Sequence, residues 1–342
     1  MSGNDGTGIA VLGAGSWGTT IAGLLAGKGH DVTLWAREDE VARSINEDHE
    51  NALFLPEVRL PENLRAASSL AEALGAAGRG RGPGVVSVVP TQYLRSVMDE
   101  ARGLIAPGSL VISATKGLEN GTLMLPSGII REVLGPDGFG EIAVVSGPSF
   151  AREVARGLPA AVSAASDSAA AADRAQALLT QSYFRVYTNR DVTGVELGGA
   201  LKNVVAIAAG ISDGLELGLN ARAALITRGL AEMTRLGVSL GADPMTFSGL
   251  SGMGDLVLTC TGALSRNYTV GVELVRGASI DEVTGSMRMV AEGVKTARST
   301  HDLAARGAVE MPIAEAVYQV LYESKPPGDA VMDLMKRSVK GE

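Results

Sequence analysis

The chain has 342 residues, enough for two domains with full hydrophobic cores, and a net charge of −8 at pH 7 with no basic block, which argues against nucleic-acid binding. The single cysteine, Cys260, rules out an internal disulfide framework and favours a cytoplasmic protein. We also expect no signal peptide and no membrane span, because the N-terminus lacks a basic region and the apolar runs are shorter than the roughly 18 residues of a spanning helix.

A glycine fingerprint follows the first predicted strand. Residues 8–12 are an apolar run, Gly13-Ala14-Gly15-Ser16-Trp17-Gly18 comes directly after it, and residues 19–28 have a helical pattern. In this motif the first glycine permits a tight turn, the second lets the backbone approach a pyrophosphate, and the third allows close packing of helix and strand. A second predicted strand, residues 31–35, completes a βαβ unit. The order favours a dinucleotide site over an ordinary tight turn.

Arg37 stands 19 residues after Gly18, where NAD sites tend to place an acid for the ribose 2′-hydroxyl. An arginine at this point accommodates a 2′-phosphate, so the sequence favours NADP(H) as the cofactor. Glu38 and Asp39 follow at once, and a shift of one position would reverse the argument. NAD(H) therefore remains the alternative.

Two later segments place polar groups at predicted strand ends. Lys116 follows the predicted strand 110–114, and Gly147 and Ser149 follow the predicted strand 142–145. Because the carboxyl ends of parallel strands line the ligand crevice, we expect both segments to contact a ligand. The alternatives are an ordinary loop lysine and a simple strand-to-helix turn.

From Val192 onward the pattern is helical. The predicted helices cover residues 192–213, 219–240, 266–276, 290–306, 312–323 and 329–340. The sequence thus predicts an α/β Rossmann-type N-terminal domain with a mostly parallel sheet, residues 1–189, which binds the dinucleotide. It predicts an all-α C-terminal domain, residues 190–342, which binds substrate and carries out the catalysis.

The first of these helices contains a lysine in apolar surroundings. Residues 195–211 are nearly all apolar or small, which is typical of a buried helix, and Lys202 shares a helix face with Gly198, Gly199 and Ala206. A buried ammonium without partners is costly. Either Lys202 extends to the surface or it faces a polar cavity in which something binds.

Two polar clusters interrupt the helical half. Residues 249–259 are glycine-rich and contain Asp255, and Ser265, Arg266 and Asn267 begin a predicted helix. An arginine beside free helix N-terminal amides suits phosphate, whereas the alternative is a capped surface helix. One cysteine and three scattered histidines predict no metal site.

Together these motifs resemble the bacterial NAD(P)-dependent sn-glycerol-3-phosphate dehydrogenases. The similar segments are residues 13–18, 113–117, 146–151, 201–203, 252–261, 265–267 and 292–293. The resemblance implies reversible conversion of dihydroxyacetone phosphate, a small phosphorylated three-carbon substrate, to sn-glycerol 3-phosphate for phospholipid synthesis. It also implies a homodimer.

The resemblance further assigns roles to residues. It implies that Lys202 is the proton acceptor in the oxidative direction and that Lys116 and Asp255 act beside it. The implied substrate contacts are Lys116, Gly147, Ser149, Lys202, Asp255, Ser265, Arg266 and Asn267. The implied cofactor contacts are Gly13, Gly15, Ser16, Trp17, Gly18, Arg37, Lys116, Ala151, Arg266, Val290 and Glu292.

The chain departs from the family pattern at Tyr268, where many members carry a further basic residue, and in a longer glycine-rich loop over residues 75–84. The protonation state of Lys202 stays open, because a neighbouring Lys116 would favour the neutral amine and a paired Asp255 the ammonium. Two other functions also remain open. They are a hydroxyacid dehydrogenase of similar build and a non-catalytic NADP(H)-binding sensor.

Overall fold

The computed structural model describes residues 7–77, 84–262, 264–287 and 290–338. The chain divides into two compact units, Met1–Lys116 with Pro126–Val195, and Gly117–Leu125 with Glu196–Glu342. The N-terminal residues 1–5 and residues 78–83 of the glycine-rich loop lie outside the described residues. The functional division at residue 189 stays a prediction.

Strands and helices alternate in the first unit. Its strands are β1 (Gly8–Leu12), β2 (Asp31–Trp35), β3 (Glu50–Asn51), β4 (Leu55–Arg59), β5 (Arg65–Ala67), β6 (Gly84–Ser87), β7 (Leu110–Ser113), β8 (Glu141–Ser146), β9 (Ala160–Ala165) and β10 (Phe184–Asn189). Its helices are α1 (Ser16–Gly27), α2 (Asp39–Asp48), α3 (Leu70–Ala77), α4 (Thr91–Ala101), α5 (Pro126–Leu134), α6 (Ala151–Ala155) and α7 (Ala169–Leu179).

Eight of these strands form one sheet in the order β10-β9-β8-β7-β6-β1-β2-β5. Every neighbouring pair is parallel except β8 and β9. All residues of β1, β6 and β7 are buried, as expected for central strands of a sheet covered on both faces. The strand order reverses between β1 and β6, which is where such sheets bind ligands. The Rossmann-type prediction is confirmed.

Residues 50–59, between α2 and β5, contain two short strands. They form a hairpin, in which β3 and β4 pair antiparallel around a turn at residues 52–54. A two-residue strand has too little periodicity to be recognised in a sequence, and Pro56 lies within β4. The hairpin holds the fully buried Asn51.

The second unit is helical throughout its described residues, which confirms the prediction of an all-α part. Its helices are α8 (Val192–Gly214, which begins in the first unit), α9 (Gly218–Ser239), α10 (Pro244–Phe247), a π-helix (Leu250–Gly254), α11 (Asp255–Thr261), α12 (Arg266–Val275), α13 (Ile280–Ser286), α14 (Glu292–Arg306), α15 (Pro312–Tyr322) and α16 (Pro327–Met335). The sequence patterns did not indicate α10, α11, α13 or the π-helix.

Helix α8 is the apolar helix that carries Lys202. Among the described residues it alone is long and apolar enough to cross a bilayer by length and composition, and 94% of its most apolar stretch is buried inside the protein. A core helix that is apolar on all sides meets the same criterion.

The segment Gly117–Leu125 belongs to the helical unit although it follows a strand of the sheet. Leu118 is fully buried in the helical core. The hydroxyl of Ser299 on α14 donates to the carbonyl oxygen of Leu118 at 3.1 Å and to the side-chain oxygen of Asn120. These contacts fix the chain directly after Lys116.

A buried carboxyl group lies between α9 and α15. Oε1 of Glu232 accepts from the backbone N–H of Ile313 at 2.8 Å, and Oε2 accepts from that of Ala314 at 3.2 Å. Glu232 is only 5% exposed. Burial raises its pKa to about 7, although the two N–H groups act in the opposite direction.

This pKa predicts a pH dependence of stability. The pKa of Glu232 is higher in the folded chain than in the unfolded one. The contribution of Glu232 to the free energy of unfolding is therefore fully present below about pH 4.5, and it is lost as the pH rises through about 7. We expect the free energy of unfolding to fall by roughly 3 kcal/mol over this range from Glu232 alone. Urea unfolding of wild type and Glu232→Gln at pH 5 and pH 8 measures it. An identical pH dependence of the two proteins would contradict the assignment.

Candidate active site

The three glycines of the fingerprint have the geometry that a dinucleotide site requires. Gly13 has φ +107°, which favours glycine. Gly15 is exposed, and a Cβ there would meet no atom within 4 Å. A Cβ on Gly18 would lie 1.8 Å from the carbonyl oxygen of Gly13, so only glycine lets α1 begin so close to the turn. The loop therefore fits a pyrophosphate at Gly15, at the N-terminus of α1.

The neighbouring predicted cofactor residues have different surroundings. The Ser16 hydroxyl donates to the carbonyl oxygen of Phe54 at 2.6 Å, and the ring of Trp17 packs against Phe184 at 6.2 Å between centroids. Arg37 is exposed between β2 and α2 and makes no hydrogen bond or ion pair within the described chain.

Lys116 and the Gly-Pro-Ser turn meet at the ends of β7 and β8. The ammonium of Lys116 lies 3.4 Å from the carbonyl oxygen of Gly147, which also accepts from the Ser149 hydroxyl at 2.9 Å. Gly147 has φ +146°, and a Cβ there would lie 2.8 Å from Cα of Val162. The turn leads into α6 at Ala151. Four of the predicted ligand residues are therefore neighbours in the first unit.

Lys202 is buried and does not extend to the surface. Its residue exposure is 7%, and its ammonium donates to Oδ1 of Asp255 at 2.5 Å and to Oγ1 of Thr259 at 2.7 Å. Asp255 is 1% exposed and begins α11, and Thr259 lies one turn later on the same helix. Sequence reasoning missed Thr259, although its spacing of four from Asp255 places both on one helix face.

The small residues beside Lys202 allow another backbone segment to approach α8 closely. A Cβ on Gly198 would lie 2.4 Å from the carbonyl oxygen of Ser251. The space beside this glycine is therefore filled by the backbone of the π-helix, which leads directly to Asp255. The small residues on this face of α8 therefore allow the carboxylate of Asp255 to reach Lys202.

Arg266 lies beside two other predicted cofactor residues, Val290 and Glu292. Its Nη1 donates to the carbonyl oxygen of Val290 at 2.7 Å, and its side chain is otherwise exposed. Glu292, two residues after Val290, begins α14. A guanidinium has five N–H donors, and the bond to Val290 uses one of them.

The side chains of Ser265 and Asn267 form hydrogen bonds within the protein. The Ser265 hydroxyl caps α12 by accepting from the N–H of Tyr268 at 3.3 Å. The amide of Asn267 donates to Oδ1 of Asn203 at 2.9 Å and accepts from the N–H of Gly293 at 2.9 Å. These bonds tie α8, α12 and α14 together beside Arg266. Asn203, the residue after Lys202, was not among the predicted contacts.

Tyr268 explains how the chain accommodates its departure from the family pattern. Its hydroxyl donates to Asp213 at 2.5 Å, and Asp213 also accepts from the guanidinium of Arg222, from Nε at 2.9 Å. The side chain is therefore committed to an internal network. Arg266 is the basic residue left at this helix start.

The described part of the chain contains no group of three or more His, Cys, Asp or Glu residues that could hold a metal ion. Burial raises the pKa of the Cys260 thiol to about 12, so this group stays protonated at neutral pH.

A Rossmann-type sheet with this fingerprint, followed by a helical unit with a buried lysine, defines the class as NAD(P)-dependent dehydrogenases. The family model for the NAD-dependent glycerol-3-phosphate dehydrogenase N-terminus matches residues 8–172, and the model for the C-terminus matches residues 191–332. The chain belongs to the NAD-dependent glycerol-3-phosphate dehydrogenase family.

Individual relatives agree with this placement. The chain is 58% identical over 334 residues to the glycerol-3-phosphate dehydrogenase [NAD(P)+] of Geobacter metallireducens, covering 98% of both chains. It is 56% identical over 334 residues to that of Geobacter sp. (strain M21), again covering 98% of both. The crystal structure of glycerol-3-phosphate dehydrogenase from Coxiella burnetii matches with a TM-score of 0.90 and 41% identity, over 96% of this chain and 98% of that one.

Proposed function

We propose that this protein catalyses the reversible NAD(P)H-dependent reduction of dihydroxyacetone phosphate to sn-glycerol 3-phosphate. The buried Lys202, held by Asp255 and Thr259, is the observation that carries the proposal. It supplies a single positioned proton on a rigid helix, which is what the reduction of a carbonyl needs besides a hydride. Membership of the family favours this reaction over that of a hydroxyacid dehydrogenase.

A nicotinamide dinucleotide held by the fingerprint loop at Gly13, Gly15 and Gly18 would supply the hydride for C2 of the substrate. The carbonyl oxygen then gains negative charge, and the Lys202 ammonium stabilises this charge and transfers its proton to the oxygen. The neutral amine regains a proton from solvent. In the oxidative direction the same amine accepts the proton of the C2 hydroxyl.

Asp255 and Thr259 orient Lys202 for this transfer. A carboxylate at 2.5 Å favours the ammonium form, which is the form that donates a proton during reduction. The Thr259 hydroxyl donates to the backbone oxygen of Asp255 at 2.6 Å, so its lone pair faces the lysine. Two of the three ammonium protons are thereby fixed in direction.

The function is tested by mixing the purified protein with NADPH or NADH and dihydroxyacetone phosphate and following the loss of nicotinamide absorbance. We expect turnover with this substrate, and none with 2-oxo acids of similar size. Binding of NADPH without turnover would instead support a non-catalytic sensor.

Arg37 determines the cofactor preference in this proposal. Because a charge-assisted hydrogen bond contributes about 1.5–3 kcal/mol, Arg37→Ala should weaken NADPH binding by roughly tenfold or more and leave NADH binding nearly unchanged. Fluorescence titration with each cofactor measures this. Arg43→Ala on the exposed side of α2 is the control, and an equal loss for both cofactors would refute the role.

Arg266 holds the substrate phosphate in this proposal. Arg266→Ala should raise KM for dihydroxyacetone phosphate about tenfold to a hundredfold and reduce discrimination against dihydroxyacetone, since a charge-assisted contact is lost. Steady-state kinetics with both substrates provide the measurement. Arg276→Ala, at the other end of α12, is the matched control. Unchanged discrimination would mean that another group binds the phosphate.

We infer further that the product feeds glycerophospholipid synthesis in the cytoplasm and that the enzyme acts as a homodimer. The chemistry of the product, the single buried cysteine and the family resemblance support these statements. Light scattering at micromolar concentration measures the mass of the particle, and a monomer would contradict the dimer.

A further inference from the structure

Asn51 lies on the hairpin β3–β4 and is not one of the predicted ligand contacts, but its side chain bonds directly to the fingerprint segment. Its exposure is 0%. Nδ2 donates to the carbonyl oxygen of Ala14 at 2.8 Å and to Oγ1 of Thr19 at 2.8 Å, and Oδ1 accepts from the N–H of Phe54 at 3.0 Å. Both amide protons are thus used on the glycine loop and the start of α1.

The Ala14 carbonyl is held from two sides, because the Thr19 hydroxyl also donates to it at 3.1 Å. The peptide bond that joins Ala14 to Gly15 is planar and trans, so its C=O and N–H groups point in opposite directions. Fixing the carbonyl toward Asn51 therefore turns the Gly15 N–H to the opposite side of the loop. Gly15 itself is exposed and has open space beside its Cα.

The hairpin makes a second bond to the same loop. The Ser16 hydroxyl donates to the carbonyl oxygen of Phe54 at 2.6 Å, and Phe54 is the residue whose N–H is held by Asn51. The turn of the hairpin is thereby bonded to the loop at Ala14 and at Ser16. A short element that the sequence pattern did not indicate thus determines the conformation of the predicted phosphate-binding loop.

We propose that Asn51 is a positioning residue for the cofactor, which fixes the Ala14–Gly15 peptide so that the Gly15 N–H donates to the pyrophosphate of the dinucleotide. The inference rests on the proposed use of a nicotinamide dinucleotide. Asn51 itself need not touch the cofactor, because it acts through the backbone of the loop. Preorganisation of this donor lowers the cost of ordering the loop on binding.

The test compares wild type with Asn51→Ala and Asn51→Ser, and uses Asn46→Ala as the matched control. Asn46 also bonds the backbone through its amide, to both groups of Ala66 at 2.9 Å, but it joins α2 to β5 and not to the fingerprint. The readouts are the NADPH dissociation constant from fluorescence titration, hydrogen exchange of residues 13–18 without cofactor, and the melting temperature.

We expect Asn51→Ala to raise the dissociation constant for NADPH about tenfold, because one well-made hydrogen bond to the loop is lost. Hydrogen exchange of residues 13–18 should become faster, and KM for NADPH should rise while kcat and KM for the phosphate substrate stay unchanged. Asn51→Ser keeps one hydrogen-bond donor, so its dissociation constant for NADPH should lie between those of wild type and Asn51→Ala. Asn46→Ala should bind NADPH like wild type.

Wild-type affinity and exchange in folded Asn51→Ala would overturn the positioning role. If Asn51→Ala does not fold, NADPH affinity and hydrogen exchange are measured on Asn51→Ser instead. Wild-type values of both in that variant would also overturn the positioning role. Failure of the wild-type protein to bind NADPH or NADH would instead refute the proposed function.

Discussion

Replacing Lys202 with alanine is expected to lower kcat by about a thousandfold or more, because the change removes the group that we propose as proton donor and as the charge stabilising the developing alkoxide. NADPH binding should remain, since the fingerprint and Arg37 are untouched. Stopped-flow measurement of cofactor oxidation at saturating substrate gives kcat, and fluorescence titration gives the affinity. A variant with turnover near that of wild type would refute the assignment of Lys202.

A loss of stability must be separated from this loss of catalysis. Lys202→Ala leaves Asp255 as an unpaired charge at 1% exposure, and breaking a buried pair in this way costs about 3–5 kcal/mol. The double variant Lys202→Met with Asp255→Leu replaces the pair with apolar groups of similar volume, which is often neutral for stability. We expect it to unfold near the urea concentration of wild type and yet to have the low kcat of Lys202→Ala.

The sequence alone predicted the parts of the site that are local in the chain. The glycine spacing reports backbone geometry at three positions a few residues apart, and the φ of Gly13 and the packing at Gly18 agree with it. Lys202 was recognisable because a charge in an apolar helix needs a partner. Its carboxylate partner was an open alternative, since residues 53 positions apart meet only after folding.

Other parts depend on tertiary contacts. The strand β3 has two residues and exists because β4 pairs with it, so its own residues carry almost no strand signal. In the sequence, residues 249–259 are a glycine-rich segment that interrupts the pattern of helices. In the fold Gly252 lies so close to Phe247 that a Cβ would be 2.1 Å from its carbonyl oxygen, and the glycines permit the π-helix that precedes Asp255. Glycines have a low intrinsic helix propensity, but the close tertiary packing at Gly252 outweighs it here.

The fingerprint glycines provide the second large expected effect. Gly18→Ala places a Cβ 1.8 Å from the carbonyl oxygen of Gly13, a backbone atom that cannot move without changing the turn. We expect the free energy of unfolding to fall by about 1–3 kcal/mol through overpacking. We expect the dissociation constant for NADPH to rise about tenfold or more, because the start of α1 would shift away from the position proposed for the pyrophosphate.

Two other glycines separate these causes. In Gly15→Ala the added Cβ has no protein atom within 4 Å, and the φ of −65° suits alanine, so the variant should be as stable as wild type. Its affinity for NADPH should fall, because the Cβ would contact the cofactor alone. Gly23→Ala, later in α1, has its nearest neighbour at 3.7 Å and should lose neither. Urea unfolding and NADPH titration of the three variants measure both quantities. Retained affinity in Gly15→Ala would place the pyrophosphate elsewhere, and retained stability in Gly18→Ala would mean that the turn at Gly13 adapts without cost.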